Sequence, residues 1–300
     1  MLTFFTIPKP QTGYIAHLQA NALANWRFLH PTAEIFVCGA EDGLDALAND
    51  VHARRVETLA ANSWNTPLVS DAFARVKKEA QGDVLVYVNA DILFLHAFDT
   101  IMSTVSTLPA FLIVGRRIDL TIDEVLKFDE SFGKNMQEKI QRKGALHGPS
   151  GLDYFIFPKN FPITMPAFAV GRSGWDNWLV FETRRKKIPV IDATAVITAI
   201  HQNHDYSHHT EGKQGTHASK EAQENWKNAG GLGKLMNITG ANMILTQNGL
   251  RIAPFKNRLY AWLILFPITQ RVIALMRSVK LKSHLKHTIL NSKHEIRNPK

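Results

Sequence analysis

The chain has 300 residues, of which 45% are hydrophobic and 20% are charged. This composition supports a sizeable folded core and excludes an intrinsically disordered chain. The single cysteine, Cys38, excludes both an internal disulfide framework and a multi-cysteine metal cluster.

The net charge of +9 is concentrated at one end of the chain. Residues 251–300 hold eleven Lys and Arg residues and one acid, whereas residues 1–250 hold 24 basic and 25 acidic residues. A nucleic-acid-binding face across the main part of the chain is therefore not indicated. The first residues read as a strand and not as a secretory leader, so we expect a cytoplasmic protein.

Short apolar segments alternate with helical patterns in the first part of the chain. Residues 2–7 and 34–38 predict strands, and residues 54–58 predict a weaker one. Between the first two, residues 14–29 place their large apolar side chains on one helical face.

The alternation continues to residue 115. Thr66 and Pro67 predict the N-cap and first position of a helix that runs to about Gln81. Residues 84–88 and 111–115 are continuous apolar runs, as expected for strands that are covered on both faces. This pattern predicts a three-layer α/β/α fold with a mostly parallel sheet, in which ligands bind at the carboxyl ends of the strands.

The pattern changes after residue 145. Polar and aromatic residues with Gly and Pro dominate residues 146–178, and a helix is predicted from Trp175 to just before Ile188. Residues 190–192 and 196–200 predict further strands.

A polar triplet, Asn89, Ala90 and Asp91, directly follows the strand at residues 84–88. A carboxylate at the end of a buried strand needs a cation, a basic side chain or a helix N-terminus beside it. A divalent ion bound to a diphosphate meets that need, because Mg²⁺ and Mn²⁺ prefer oxygen ligands. The alternative is that Asp91 caps a helix that begins near His96.

Six segments together resemble a bacterial group of glycosyltransferase-like proteins of the GT-A type, the nucleotide-diphospho-sugar transferases. The resemblance covers about residues 1–228, and it lies in residues 5–10, 89–91, 115–119, 148–154, 174–178 and 201–206. It implies a GT-A-like, Rossmann-like catalytic domain over residues 1–228, followed by a C-terminal extension over residues 229–300. It also implies transfer of a sugar from a nucleoside-diphosphate donor to a hydroxyl acceptor, either a saccharide or lipid-linked.

The resemblance implies donor contacts near the first strands. Thr6, Ile7 and Pro8 would line the nucleobase and ribose through backbone groups, and Asn89 and Ala90 would lie beside them. Asn89 takes the place of the first of two acids in the usual motif, so it supplies an oxygen but no charge, and a weaker Mn²⁺ or Mg²⁺ site is expected.

Further residues have a donor role or a structural alternative. Asp42 would hydrogen-bond the base or cap a helix, and Ser70 and Asp71 would face the nucleotide or lie on an exposed helix face. Arg116 or Arg117 would neutralise the leaving diphosphate; the alternative is a salt bridge to Asp119 or Asp123.

The acceptor side is predicted around two later acids. Asp153 follows a Gly-rich turn, where it would bind sugar hydroxyls or act as a turn residue. Asp176 would lie at a helix start, and in inverting GT-A enzymes an acid at that place deprotonates the acceptor hydroxyl. Trp175 would stack on a sugar ring or belong to the core.

A histidine cluster follows the last predicted strand. His201 and His204 are the candidates to complete the metal shell of Asp91. His208, His209 and His217 would belong to a polar loop that orders over the donor as a lid.

The C-terminal segment combines apolar and basic residues. Residues 259–268 are apolar apart from Pro267 and are too short to span a bilayer, which needs about 20 residues. Lys280, Lys282 and Lys286 follow, so the segment predicts peripheral contact with an anionic membrane surface or a helix packed on the domain.

Two other functions compete with glycosyl transfer. A nucleotidyltransferase would carry a Gly-rich loop after the first strand, and residues 8–13 contain a single Gly. A catalytically silent nucleotide-sugar-binding protein remains open, because Asn89 replaces an acid.

Overall fold

The computed structural model describes residues 1–204 and 219–279 of the chain. Thirteen strands lie in these residues: β1 Leu2–Thr6, β2 Glu34–Cys38, β3 Arg54–Val56, β4 Val84–Val88, β5 Ile92–Phe94, β6 Leu112–Val114, β7 Arg117–Leu120, β8 Ala145–Leu146, β9 Tyr154–Pro158, β10 Val190–Asp192, β11 Ala199–Gln202, β12 Met243–Thr246 and β13 Gly249–Ile252. The first six α-helices are α1 Gly13–Leu29, α2 Leu44–Asp50, α3 Val69–Glu79, α4 Asp99–Val105, α5 Phe132–Lys143 and α6 Trp175–Arg185. Later helices are Lys220–Asn228, Phe255–Leu265 and Pro267–Val279, with short 3₁₀ turns at Leu232–Lys234 and Ile238–Gly240.

The central sheet has nine strands in the order β13-β12-β10-β6-β9-β4-β1-β2-β3. Strands β3, β2, β1 and β4 run parallel, and β9 lies antiparallel between β4 and β6. Because β6, β10 and β12 are again parallel to one another, the carboxyl ends of seven strands meet at one edge together with the start of β9. The predicted mostly parallel α/β fold is confirmed.

Helices and loops cover both faces of this sheet with two apolar clusters. One contains Trp26 of α1 with Val86 and Val88 of β4, and the other contains Tyr87 of β4 with Trp175 of α6. Successive residues of β4 thus point into opposite clusters, as the period of two in a strand requires. This explains the uninterrupted apolar sequence of that strand.

A second, four-stranded sheet has the order β5-β11-β7-β8 and brings distant segments together at the same edge. His201 of β11 pairs in register with Ile92 of β5 on one side and with Asp119 of β7 on the other. Trp26 fixes β5 from α1, since its indole N–H donates to the Ile92 carbonyl over 2.8 Å. The residue before β5, Asp91, is therefore held beside His201.

Three predicted element boundaries were wrong. Helix α3 begins at Val69 and not at Pro67, because Pro67 and Leu68 form isolated bridges with Ala61 and Ala169. The strand predicted at 196–200 lies at Ala199–Gln202. No helix begins at residue 96, because α4 begins at Asp99.

The residues after 228 contribute to the same sheet. Strand β12 pairs parallel with β10, and β13 closes that side as an antiparallel strand. The division at residue 228 therefore stays a prediction.

Within residues 1–204 and 219–279, no single helix is long and apolar enough to span a membrane, and the helix pair 255–279 meets that test only when joined across a bend of 92°.

Candidate active site

An open cavity of about 840 Å³ lies at the edge where the strand ends meet. One part of its wall comes from the segment after β1 and from the triplet after β4, and another from the start of α6. Its residues include Ile7, Pro8, Lys9, Glu41, Tyr87, Asn89, Ala90, Asp91, Arg117, His147, Asp153, Trp175, Asp176, His201, His204 and Arg277. The position agrees with the rule that open α/β sheets bind ligands beyond the carboxyl ends of their strands.

Asp91 and two histidines form the only cluster of three or more potential metal ligands found in the described parts of the chain. The Asp91 Oδ2 atom lies 3.1 Å from His204 Nε2 and 3.6 Å from His201 Nε2. One potential ligand atom from each of the three residues lies within 4.8 Å of the other two. The second oxygen, Asp91 Oδ1, is buried and has no hydrogen-bond partner among the described residues.

The surroundings of Asp91 favour its ionised form. Burial alone would raise the pKa of Asp91, but His201, His204 and Lys9 together hold this pKa well below its usual range. In turn, burial would lower the pKa of His201, but Asp91 raises it overall. Burial lowers the pKa of Lys9, and the charge of Asp91 opposes that shift.

These three residues fit a divalent cation. An ionised carboxylate with a free buried oxygen leaves a coordination position that nothing in the described protein fills. Imidazole nitrogens beside a carboxylate suit Mn²⁺ or a similar transition metal. Asp91 is therefore no helix cap, and the strand β5 that follows it excludes that alternative.

A second carboxylate next to this cluster is fully engaged. Asp153 Oδ1 accepts from Asn89 Nδ2 over 2.7 Å, and Asp153 Oδ2 accepts from Arg117 Nη1 over 2.7 Å. Arg117 Nε also donates to Asp119 over 2.9 Å, and His147 Nδ1 lies 2.6 Å from the other Asp119 oxygen. Burial would lower the pKa of Arg117, but the two aspartates raise it overall.

The two predicted arginines differ in their position relative to the cavity. Arg117 lines the cavity while it pairs with Asp119, as the structural alternative anticipated, and with Asp153. Arg116 is not among the lining residues, and its Nε donates to the His147 carbonyl over 2.7 Å.

Asp176 lies in the first turn of α6, on the cavity wall formed by the start of that helix. Burial raises the pKa of Asp176 to about 6, although hydrogen bonds from Asn177 and Gly174 oppose the shift. Its Oδ1 atom has no hydrogen-bond partner among the described residues. A carboxylate with such a pKa can accept a proton near neutral pH.

Trp175, the preceding residue, belongs mainly to the core. Its ring centroid lies 5.1 Å from that of Tyr87 and 5.0 Å from that of Phe155. The side chain is buried, yet part of it reaches the cavity wall.

Some of the remaining predicted residues line the cavity, and others lie outside its wall. Ile7, Pro8 and Ala90 line it, whereas Thr6 is buried beneath and Asp42 is exposed outside. Ser70 and Asp71 also lie outside the lining, and Asp71 binds the Ala60 N–H and Arg75. The predicted lid histidines His208, His209 and His217 lie outside the described residues.

Sequence reasoning missed five lining residues with a charged or imidazole side chain: Lys9, Glu41, His147, Arg172 and Arg277. Lys9 and Glu41 follow the carboxyl ends of β1 and β2. Because ligands bind beyond these strand ends, the predicted strands alone could have identified both residues. His147 and Arg277 come from distant segments and carry no such signal.

Comparison with models of known protein families found no match, and comparison with curated proteins found none either. Among solved structures, the chain is similar to glucosyl-3-phosphoglycerate synthase from Mycobacterium tuberculosis in complex with Mn²⁺, uridine diphosphate and phosphoglyceric acid. The identity is 12%, with 77% of this chain and 78% of that chain covered and a TM-score of 0.46. It is also similar to a proposed nucleotide-diphospho-sugar transferase from Desulfovibrio desulfuricans G20, at 11% identity over 76% of this chain and 96% of that chain, with a TM-score of 0.41.

Proposed function

We propose that this protein is a glycosyltransferase that moves a sugar from a nucleoside-diphosphate donor to a hydroxyl acceptor with the help of a divalent cation. One observation carries the proposal: a buried, ionised carboxylate with a free oxygen and two histidines lies in one cavity with a second carboxylate of raised pKa. The first group suits a metal-bound diphosphate, and the second suits proton transfer from a hydroxyl group.

Asp91, His204 and His201 are the residues that would hold the cation. When bound, a divalent cation neutralises charge on a diphosphate and makes it a better leaving group. Lys9 adds a half-buried positive side chain to the same wall, where the charge of Asp91 acts on it. Ile7 and Pro8 follow β1 on this wall, where they would contact the nucleoside.

Asp176 is proposed as the general base on the acceptor side. Its carboxylate would take the proton of the acceptor hydroxyl while that oxygen forms a bond to the anomeric carbon. The bond from this carbon to the diphosphate oxygen breaks, and the electron pair leaves with the nucleoside diphosphate. Attack opposite to the leaving group inverts the anomeric configuration.

Asp153 has a positioning role in this proposal. Each of its oxygens accepts one short hydrogen bond, from Asn89 or from Arg117, so we assign the proton transfer to Asp176, whose Oδ1 has no partner among the described residues. It fixes Arg117 at the cavity wall, where the part of the guanidinium that faces the cavity would contact the donor phosphate. Asn89 is oriented by the same carboxylate and would offer its amide oxygen to the donor.

The test combines ligand binding with turnover. Uridine, guanosine, adenosine and cytidine diphosphates and their sugar derivatives are screened by thermal shift, with Mn²⁺, with Mg²⁺ and with EDTA. A ligand that binds only the folded state must raise the melting temperature. We expect one nucleotide to raise it more with Mn²⁺ than with EDTA, and the matching nucleotide sugar to be hydrolysed slowly in the absence of an acceptor.

The competing functions give different results. A silent nucleotide-sugar-binding protein would show the shift without any hydrolysis or transfer to saccharide acceptors. A nucleotidyltransferase would prefer nucleoside triphosphates and release pyrophosphate. Absence of any nucleotide-dependent shift, with or without metal, would contradict the glycosyltransferase proposal.

A further inference from the structure

The two helices Phe255–Leu265 and Pro267–Val279 expose an apolar stripe to solvent. We define the outward surface as the exposed large apolar side chains of both helices: Phe255, Leu259, Trp262, Leu263, Phe266, Ile268, Val272, Leu275, Met276 and Val279. Trp262 is 54% exposed and Leu275 is 67% exposed. A helix that packs on a domain normally exposes polar residues to water and buries its apolar residues. These two helices instead expose large apolar side chains.

The spacing shows that the exposed residues form one face of each helix. In the first helix, residues 255, 259 and 262 are separated by four and three positions; in the second, residues 268, 272, 275 and 279 are separated by four, three and four. The opposite face of the first helix is packed on the protein, where Ala261 and Ile264 are buried, and in the second helix the partly buried Ile273 packs against the same apolar cluster. The outward surface is thus a second apolar face and not the frayed edge of the core.

The charged residues of the sequence segment that contains the outward surface are all positive. Between Glu224 and Glu295 the sequence contains no acid, but it contains eleven Lys and Arg residues. Lys256, Arg258 and Arg271 are exposed on the two helices themselves. A second copy of this chain would present the same charge to this surface, whereas a bilayer that contains anionic lipids presents the opposite charge.

The geometry of the pair fits a position on a bilayer and not through it. The two helices have 11 and 13 residues and meet at 92°, and neither approaches the roughly 20 residues that a membrane span needs. Aromatic residues suit the boundary between headgroups and acyl chains. Trp262 and Phe266 lie next to the bend with their ring centroids 4.4 Å apart.

The outward surface is also connected to the cavity. Arg277 lies on the inner side of the second helix, and its Nη1 donates to the Leu232 carbonyl over 2.6 Å and to the Leu235 carbonyl over 2.9 Å. Arg277 and both leucines line the cavity. Anything that binds the outward surface would therefore lie close to this part of the cavity wall.

From these observations, we propose that the bent helix pair is a docking surface for an anionic lipid bilayer. The apolar side chains enter the region of the acyl-chain boundary, and the Lys and Arg residues contact anionic headgroups. Docking does not depend on the proposed chemistry, because no residue of the outward surface belongs to the Asp91 cluster or to the start of α6.

Vesicle flotation of the full chain tests the proposal. We expect binding to vesicles of equal parts phosphatidylglycerol and phosphatidylcholine. Binding should be at least about tenfold weaker to vesicles of phosphatidylcholine alone, and at least about tenfold weaker to the anionic vesicles in high salt. The double variant Trp262→Ser/Leu275→Ser is expected to bind the anionic vesicles at least about tenfold more weakly. Arg271→Gln is expected to bind the anionic vesicles about fivefold more weakly.

The matched control is Trp64→Ser/Val125→Ser, which changes an exposed tryptophan and an exposed aliphatic residue elsewhere on the protein. It is expected to bind vesicles as the unchanged chain does. Equal binding by the Trp262→Ser/Leu275→Ser variant would overturn the proposal, as would salt-independent binding to both vesicle types.

A concentration-dependent dimer that the same variant abolishes, without vesicle binding by the unchanged chain, would assign the surface to a second copy instead. The nucleotide-dependent thermal shift is measured on all variants. We expect it to be unchanged, so that failure to dock and failure of the proposed function give separate results.

Discussion

Two carboxylates, Asp91 and Asp153, lie in the wall of the same cavity at the edge of the central sheet, and they differ in how many of their oxygens have hydrogen-bond partners. Both oxygens of Asp153 are engaged, one by Asn89 and the other by Arg117. Asp91 has one oxygen near two histidines, and its other oxygen has no hydrogen-bond partner among the described residues.

This difference separates a structural acid from a candidate ligand-binding acid. An unsatisfied buried oxygen costs on the order of 1–3 kcal/mol, so such an atom on a cavity wall is a candidate contact for a ligand, an ion or a water molecule. Asp176, on the cavity wall formed by α6, shares this property with Asp91, since its Oδ1 is also unpartnered among the described residues. We therefore expect substitutions at Asp91 and Asp176 to affect mainly function, and substitutions in the Asp153 network to affect stability as well as donor binding.

The largest effect is expected for Asp91→Ala. Removal of the only carboxylate of the three-residue cluster should abolish the extra thermal shift that Mn²⁺ gives with a nucleotide, and it should reduce turnover by roughly 10³-fold or more. Calorimetric titration with Mn²⁺ and a coupled assay of nucleoside-diphosphate release measure the two effects.

Asp83→Ala is the matched control for this variant. Asp83 precedes the same strand, but its side chain is 94% exposed and lies outside the cavity. We expect cation binding and turnover to remain as in the unchanged chain. Retained turnover in Asp91→Ala would remove the metal assignment.

Asp176→Asn is expected to lower turnover by about 10²- to 10⁴-fold, because an amide cannot accept the proton of the acceptor hydroxyl. In the unchanged chain the pKa of this carboxyl is about 6, so the rate should fall as the pH decreases through 6, when the base becomes protonated. A pH profile of kcat for both proteins measures this, and a profile that is flat from pH 5 to 8 would exclude Asp176 as the base.

Stability provides a second measurement on the same variant. The folded-state pKa of Asp176 is raised above 3.8, so its ionisation opposes folding, and this cost is complete above about pH 6 and decreases at lower pH. Asp176→Asn should therefore melt roughly 2–4 °C higher at pH 7.5, with a smaller gain at pH 5. Loss of activity together with a higher melting temperature would show that the variant is folded.

Arg117→Met tests the satisfied side of the comparison. It leaves Asp153 and Asp119 without their shared cation, and Asp153 has a side chain that is only 8% exposed. Loss of one partner of a buried ion pair costs about 3–5 kcal/mol, which urea unfolding will detect. Arg116→Met is the control and should cost about 1 kcal/mol, since Arg116 donates a hydrogen bond to a single carbonyl. Equal losses in the two variants would mean that the network does not stabilise the fold.

The sequence predicted the fold and the position of Asp91 because both depend on local signals. Strand β4 is a buried apolar run, and the acid that follows it lies at the carboxyl edge whichever neighbours that strand has. His201 and His204 were predicted from their types and from the resemblance. Their contact with Asp91 requires the second sheet, in which β11 lies beside β5.

The parts that sequence did not predict depend on contacts between distant segments. The ion pair of Arg117 with Asp153 joins residues 36 positions apart, and Arg277 reaches the cavity wall from the last described helix. The start of α3 was misplaced because Pro67 was read as a helix position. Its bridge to Ala61, which has no periodic sequence signal, holds it in an extended segment instead.

The smallest expected effect separates two neighbouring acids after β2. The sequence prediction assigned a base contact to Asp42, but Glu41 lines the cavity and Asp42 is exposed outside it. Glu41→Gln should weaken donor binding by about fivefold, the value of one hydrogen bond, whereas Asp42→Asn should change it by less than about twofold. Titration of the donor by calorimetry in the presence of Mn²⁺ measures both constants. A loss confined to Asp42→Asn would mean that the segment after β2 moves inward when the donor binds, because an exposed side chain outside the wall cannot otherwise reach a ligand within the cavity.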